Sequence, residues 1–128
     1  MASPTVTVTD FDHLVLECAD VETTLAWYQR KLGLAPVRVD EWRAGTAPFP
    51  SVRVNECTII DLIEGDAAEG RLDHFCLVVA RIDLDEVAAS GEFDVLEGPT
   101  QRFGARGDGT SLYVRDPDGT TVELRYYE

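Results

Sequence analysis

The two histidines of this chain occupy the same place in what reads as one element written twice. Each follows an aspartate at the mouth of an apolar run: Asp12-His13 before "LVLEC", and Asp73-His74 before "FCLVV", 61 positions later. The likeness continues past the strands. The segment "ADVETTLAWYQRKLGL" predicts a helix, with Asp20 as N-cap, Val21, Leu25, Tyr28 and Leu32 on one face, and Gly33 as a left-handed stop. "IDLDEVAASGEF" repeats that plan in shorter form, with Asp83 as cap, Val87 and Ala88 inward and Gly91 as stop. Each half then ends in strands joined by turns. "SVRVNECTIIDLIEG" holds a turn around Asn55-Glu56 and a strand Thr58–Ile63; "SLYVRDPDGTTVELRYY" holds a tight turn Asp116–Gly119 and a strand Thr120–Tyr126. Asp61 and Glu123 occupy matching places. Two copies of a unit this long describe a duplicated strand–helix–strand module, about 10–65 and about 71–127, and not a solenoid.

Strand parity assigns the polar residues to a face, because alternate side chains of a strand point the same way. His13, Val15 and Glu17 share one face, and Leu14, Leu16 and Cys18 the other. In the second copy His74, Cys76 and Val78 oppose Phe75, Leu77 and Val79. In the last strand Thr121, Glu123 and Arg125 oppose Val122 and Leu124. The helices need an apolar face to cover, so both histidines and Glu123 turn away from them.

Two imidazoles and one carboxylate form a set that holds a divalent metal while leaving coordination positions open, and these ligand types suit Zn, Ni, Fe, Mn or Co alike. A lone histidine beside a strand is more often a hydrogen-bonded structural residue. Two at equivalent repeat positions, with a glutamate on the same kind of face, point to a metal.

Composition narrows the partners. At 128 residues the chain is one domain by length. A net charge of -13 argues against nucleic acid and anionic membrane. No apolar run approaches the roughly 18 residues of a membrane span. "MASPTVTV" has neither the basic patch nor the apolar core of a signal peptide, so a cytoplasmic location is expected. Three cysteines without C-x-x-C spacing read as small buried thiols.

The pattern D-H-L-V-L with "AWYQRKLGL", then D-H-F-C-L and "YVRDPDGTTVEL", resembles the vicinal oxygen chelate superfamily from Phe11 to Tyr127. That group includes glyoxalase I, extradiol dioxygenases, methylmalonyl-CoA epimerase and bleomycin-binding proteins. The segment "EGPTQRFGARGDGTSLYVRDPDGTTVEL" most resembles the glyoxalase domain-containing protein 5 group and its bacterial relatives. The resemblance implies an α+β fold of two pseudo-symmetric βαβββ modules, forming an incomplete eight-stranded barrel around a metal cleft. It implies His13, His74 and Glu123 as metal ligands. Asp61 stands where glyoxalase I has a fourth ligand; being one methylene shorter than glutamate, it suits a water-mediated contact or a base.

The resemblance favours a glyoxalase-like lyase or isomerase that chelates adjacent substrate oxygens, stabilises an enolate, and uses Glu123 or Asp61 as the catalytic carboxylate. An Fe(II) extradiol-type dioxygenase and a non-catalytic binding or resistance protein are the alternatives. A small-molecule substrate is the expected partner and a homodimer the expected assembly. The segment Gly98–Gly109 reads as a glycine-rich loop, and Arg102 and Arg106 suit an anionic substrate, the other reading being surface pairing with acidic neighbours. Phe103 and Tyr113 complete the candidate substrate-binding set. Asp40–Pro50 reads as a loop at the cleft mouth.

Overall fold

A computed structural model describes residues 4–65, 71–115, 117 and 119–128. The chain divides into two compact units. One is His13–Asp73, the first module; the other combines His74–Glu128 with Met1–Asp12, the second module. Strand β1 (Val8–Cys18) therefore begins in the second module and enters the first at His13.

The first module continues through α1 (Val21–Leu32), β2 (Ala35–Val37), α2 (Val39–Arg43), β3 (Ser51–Arg53) and β4 (Ile59–Glu64). Its strands run in the order β2-β3-β4-β1, antiparallel except for the parallel β4–β1 pair. Helix α1 starts as predicted: the Asp20 carboxylate accepts the Glu22 amide at 3.1 Å and the Thr23 hydroxyl at 2.8 Å. It stops at Gly33, whose φ of 69° lies in the left-handed region. Leu16, Cys18, Ile60 and Leu62 of the sheet meet Val21, Leu25 and Tyr28 of the helix in one core, as parity requires.

Two expectations need correction. Leu32 is not on the buried face; it is 55% exposed, because the chain reverses at Gly33 and Leu34 packs on the core instead. The stretch read as a loop from Asp40 belongs in part to α2, which Val39 (buried) and Trp42 anchor to the same core. A five-residue helix is too short for its periodicity to stand out in sequence.

The second module holds β5 (Arg71–Val79), α3 (Leu84–Ala89), β6 (Asp94–Gly104), β7 (Gly107–Arg115) and β8 (Thr121–Tyr126). Its strand order is β5-β8-β7-β6, with β5–β8 parallel and the others antiparallel. Asp83 caps α3, accepting the amides of Asp85 and Glu86 at 3.0 and 3.2 Å. Val79, Leu84, Val87, Leu112, Val114 and Leu124 form the core, with Leu77 and Ala88 packed against it. The N-terminal segment is tied in by the Ala80 amide, which donates to the Thr7 carbonyl at 2.7 Å.

The segment Gly98–Gly109 is not a loop. It comprises the end of β6, a turn at Ala105-Arg106 and the start of β7, paired from Thr100↔Ser111 to Gly104↔Gly107. Most of β6 is wet, so it lacks the apolar alternation that marks a half-buried strand. Within the predicted turn before β8, Asp116 and Asp118 lie outside the described residues.

Both modules thus have the expected βαβββ order, the first with α2 inserted, in an α+β fold of eight mixed strands. Among the described residues, no helix is long and apolar enough to cross a membrane. None of the three cysteines is in a disulfide. Cys18 and Cys76 are buried, and burial raises the Cys18 thiol above its ordinary range, although hydrogen bonds from Thr24 and Ile63 oppose the shift. A thiol-reactive chromogenic disulfide should therefore label Cys57 first in the native protein, with Cys18 and Cys76 reacting on unfolding. Three thiols reacting at one native rate would contradict this packing.

Candidate metal centre

In the second module, Leu124 of β8 lies in the core, so Glu123 projects from the opposite face of the strand. Register pairs Cys76 with Glu123, two residues beyond His74 on β5. The carboxylate is 1% exposed, and its two oxygens face different groups. Oε1 lies 3.1 Å from His74 Nε2. Oε2 accepts the Ser111 hydroxyl at 2.7 Å and Arg125 Nη2 and Nε at 2.8 and 3.2 Å. A buried carboxylate without such donors is strongly disfavoured.

Arg125 is itself fully buried, and each of its five N–H groups has an acceptor. Besides Glu123, Nη2 donates to the Phe103 carbonyl at 3.2 Å, and Nη1 to the Gly107 carbonyl at 3.4 Å and the Tyr127 hydroxyl at 3.1 Å. Burial is the largest influence and opposes its charge, but Glu123, Cys76 and Tyr127 together outweigh it and raise the guanidinium above its ordinary range. Gly104 makes room for it: a Cβ there would run into Arg125 Nη1. The Tyr127 hydroxyl also donates to Asp12 Oδ1 at 2.5 Å and accepts the Arg106 amide at 3.3 Å, while Asp12 Oδ2 accepts the Ala105 amide at 3.0 Å. The β6–β7 turn is thereby fastened to the residue that precedes His13.

Tyr113 stands directly opposite Glu123 in the β7–β8 register, its ring edge-on to His74 at 5.5 Å between centroids. Burial first, and then the charge of Glu123, push its phenol above the ordinary range. Tyr113 is therefore a neutral O–H donor at physiological pH.

The first module carries the matching half. Register pairs Val15 with Asp61, two residues beyond His13, as Cys76 pairs with Glu123 beyond His74. Asp61 is buried; its Oδ2 lies 3.7 Å from His13 Nε2, and its Oδ1 accepts the Ser51 hydroxyl at 2.5 Å. The copies are not chemically equal. Ser51 stands opposite Asp61 where Tyr113 stands opposite Glu123, and Ile63 occupies the position that Arg125 takes in β8.

The donor chemistry of His74 and Glu123 fits a divalent ion. Two ligand atoms about 2.1 Å from one ion and at right angles to each other lie about 3 Å apart, close to the 3.1 Å between Nε2 and Oε1. The remaining predicted residues lie elsewhere on the second module. Arg102 is exposed and bonded to Glu97 at 2.9 Å and to the Thr100 hydroxyl at 3.0 Å. Arg106 reaches Asp10 at 3.7 Å and stacks over the Tyr127 ring at 4.5 Å. Phe103 is half-buried. The structure thus brings Tyr113 to the His74–Glu123 pair, while Arg102 and Arg106 engage acidic neighbours. Sequence reasoning placed Arg125 on the face of Glu123 and Asp12 before His13 but gave neither a role, and it passed over Ser111, Ser51 and Tyr127.

The sequence and the fold are similar to those of known proteins. The family model of the glyoxalase/bleomycin resistance protein/dioxygenase superfamily matches residues 10–124. The chain is 31% identical over 121 residues to virulence protein STM3117 of Salmonella typhimurium, covering 91% of this chain and 83% of that protein. It is 33% identical over 126 residues to glyoxalase domain-containing protein RDO1 of Mycosarcoma maydis, covering 94% and 70%. Among solved structures, the Mn(II)-bound glyoxalase of Novosphingobium aromaticivorans shares the fold with a TM-score of 0.72 and 24% identity, covering 94% of this chain and 40% of that one. The methylmalonyl-CoA epimerase of Mycobacterium tuberculosis does so with a TM-score of 0.67 and 19% identity, covering 99% and 93%. The chain belongs to the glyoxalase/bleomycin resistance protein/dioxygenase superfamily.

Proposed function

We propose that the protein is a divalent-metal-dependent, glyoxalase-like lyase or isomerase acting on a small substrate with two adjacent oxygens. The observation that carries this reading is the His74–Glu123 pair, a half-buried histidine 3.1 Å from a buried carboxylate on the face turned away from the core. The matching His13–Asp61 pair in the other copy supports it. In this reading His13, His74 and Glu123 are the ligands of one ion. The ion, when bound, polarises the adjacent substrate oxygens and carries the negative charge that develops on them.

The chain's own residues supply the rest. Asp61 Oδ2 takes the proton from the substrate carbon, and the Ser51 hydroxyl on Oδ1 holds the carboxylate in place. Tyr113, kept neutral, offers its O–H to a substrate oxygen beside His74. The superfamily and the Mn(II)-bound glyoxalase neighbour support a metal, and the epimerase neighbour supports proton-transfer chemistry.

Elemental analysis after exposure to Mn(II), Ni(II) or Zn(II) should give one ion per wild-type chain, and His13→Ala, His74→Ala and Glu123→Ala should each lose it. Stoichiometric metal surviving in all three variants would remove the site. Turnover of a 2-oxoaldehyde–thiol adduct should need the metal and persist without oxygen; oxygen consumption with a catechol and Fe(II) would instead assign a dioxygenase. Asp61→Asn should lower kcat by roughly 100-fold or more, the scale of general-base catalysis, with metal content retained. Loss of metal in that variant would make Asp61 a ligand.

A further inference from the structure

We infer that Arg125 is a positioning residue which restricts Glu123 to binding metal through one oxygen, leaving a further coordination position for substrate. The inference deepens the reading of His74 and Glu123 as ligands and rests on it. Oε2 of Glu123 already receives three N–H or O–H donors, from Ser111 and twice from Arg125, at 2.7 to 3.2 Å. A carboxylate that chelates an ion turns both oxygens toward it, so Oε2 would have to abandon those donors. Oε1 is the oxygen that faces His74 Nε2.

Arg125 cannot follow a rotating carboxylate. Its other three N–H groups are held by the Phe103 and Gly107 carbonyls and the Tyr127 hydroxyl, and its guanidinium lies against Gly104, where even a Cβ would clash. Rotation of Glu123 would leave a guanidinium buried without its counter-charge, an arrangement proteins strongly resist. The forked geometry matters as much as the charge: lysine in its place would supply a point charge but not two donors aimed at one oxygen. The arrangement belongs to this module alone, since Ile63 stands at the corresponding place after Asp61. A substrate that binds through adjacent oxygens needs two neighbouring open positions, and a chelating glutamate would take one of them.

Infrared difference spectra of 13C-glutamate-labelled protein, with and without Co(II), test this. Glu123→Gln identifies the bands of Glu123, and circular dichroism checks the fold of every variant. In the wild type, Co(II) should give a wide separation between the antisymmetric and symmetric carboxylate stretches, the signature of one-oxygen binding. In Arg125→Met, and in Gly104→Ala, which displaces the guanidinium while keeping its charge, the separation should narrow to that of a chelating carboxylate. Arg125→Lys should narrow it as well. Where Arg125→Met fails to fold, Arg125→Lys and Gly104→Ala carry the comparison. A wide separation in every folded variant, or a narrow one in the wild type, overturns the role of Arg125 and leaves the ligand assignment standing. Glu123 bands that do not move when Co(II) is added to the wild type overturn both.

Discussion

A carboxylate buried at Glu123 is the constraint around which the second module is arranged. Placed on the face of β8 away from the core and closed off from water, it demands donors that the strand backbone, engaged in ladders, does not supply. Arg125 answers from two positions along the same strand, and this in turn buries a guanidinium with five N–H groups to satisfy. The Phe103 and Gly107 carbonyls and the Tyr127 hydroxyl meet that demand, so the β6–β7 turn must close at that point, and Gly104 must lack a side chain. Tyr127 extends the chain of bonds to Asp12, and Asp12 to the Ala105 amide. One buried charge thus dictates the conformation of a hairpin, the C-terminal strand and the residue before His13.

The duplication explains why the pattern exists, and its asymmetry suggests what each copy is for. Both copies set an acidic residue beside a histidine by the same register. Ser51 and His13 stand beside Asp61 in the first, and the permanent cation of Arg125 stands beside Glu123 in the second. A carboxylate paired with arginine is a poor proton acceptor and a well-fixed ligand. In the proposed reading, that difference suits Glu123 to holding the ion and Asp61 to taking the proton.

The elements that position the site were legible wherever a local rule governed them. The Asp20 and Asp83 caps, the Gly33 stop and the parity that puts Leu124 inside and Glu123 outside all depend on neighbours within a few residues. The repeat added that His13 matches His74 and Asp61 matches Glu123. What stayed hidden depends on residues far apart in the chain. Arg125 could be placed on a face, but its partners at Phe103 and Gly107 arrive through the β7–β8 and β6–β7 ladders. The 98–109 segment read as a loop because glycines and charges dominate a strand pair that is wet over most of its length. Leu32 read as core because its periodicity holds to the last turn, where the reversal at Gly33 hands its place to Leu34.

The central claim is that duplicated strands deliver two histidines and one oxygen of Glu123 to a single ion. Anomalous diffraction at the zinc edge, from crystals grown with Zn(II), tests it most directly. The account predicts one strong peak per chain, about 2.0–2.2 Å from ring nitrogens of His13 and His74 and from Oε1 of Glu123, with Oε2 still on Arg125. A peak that lacks either histidine, or that engages Glu123 through Oε2, would contradict it.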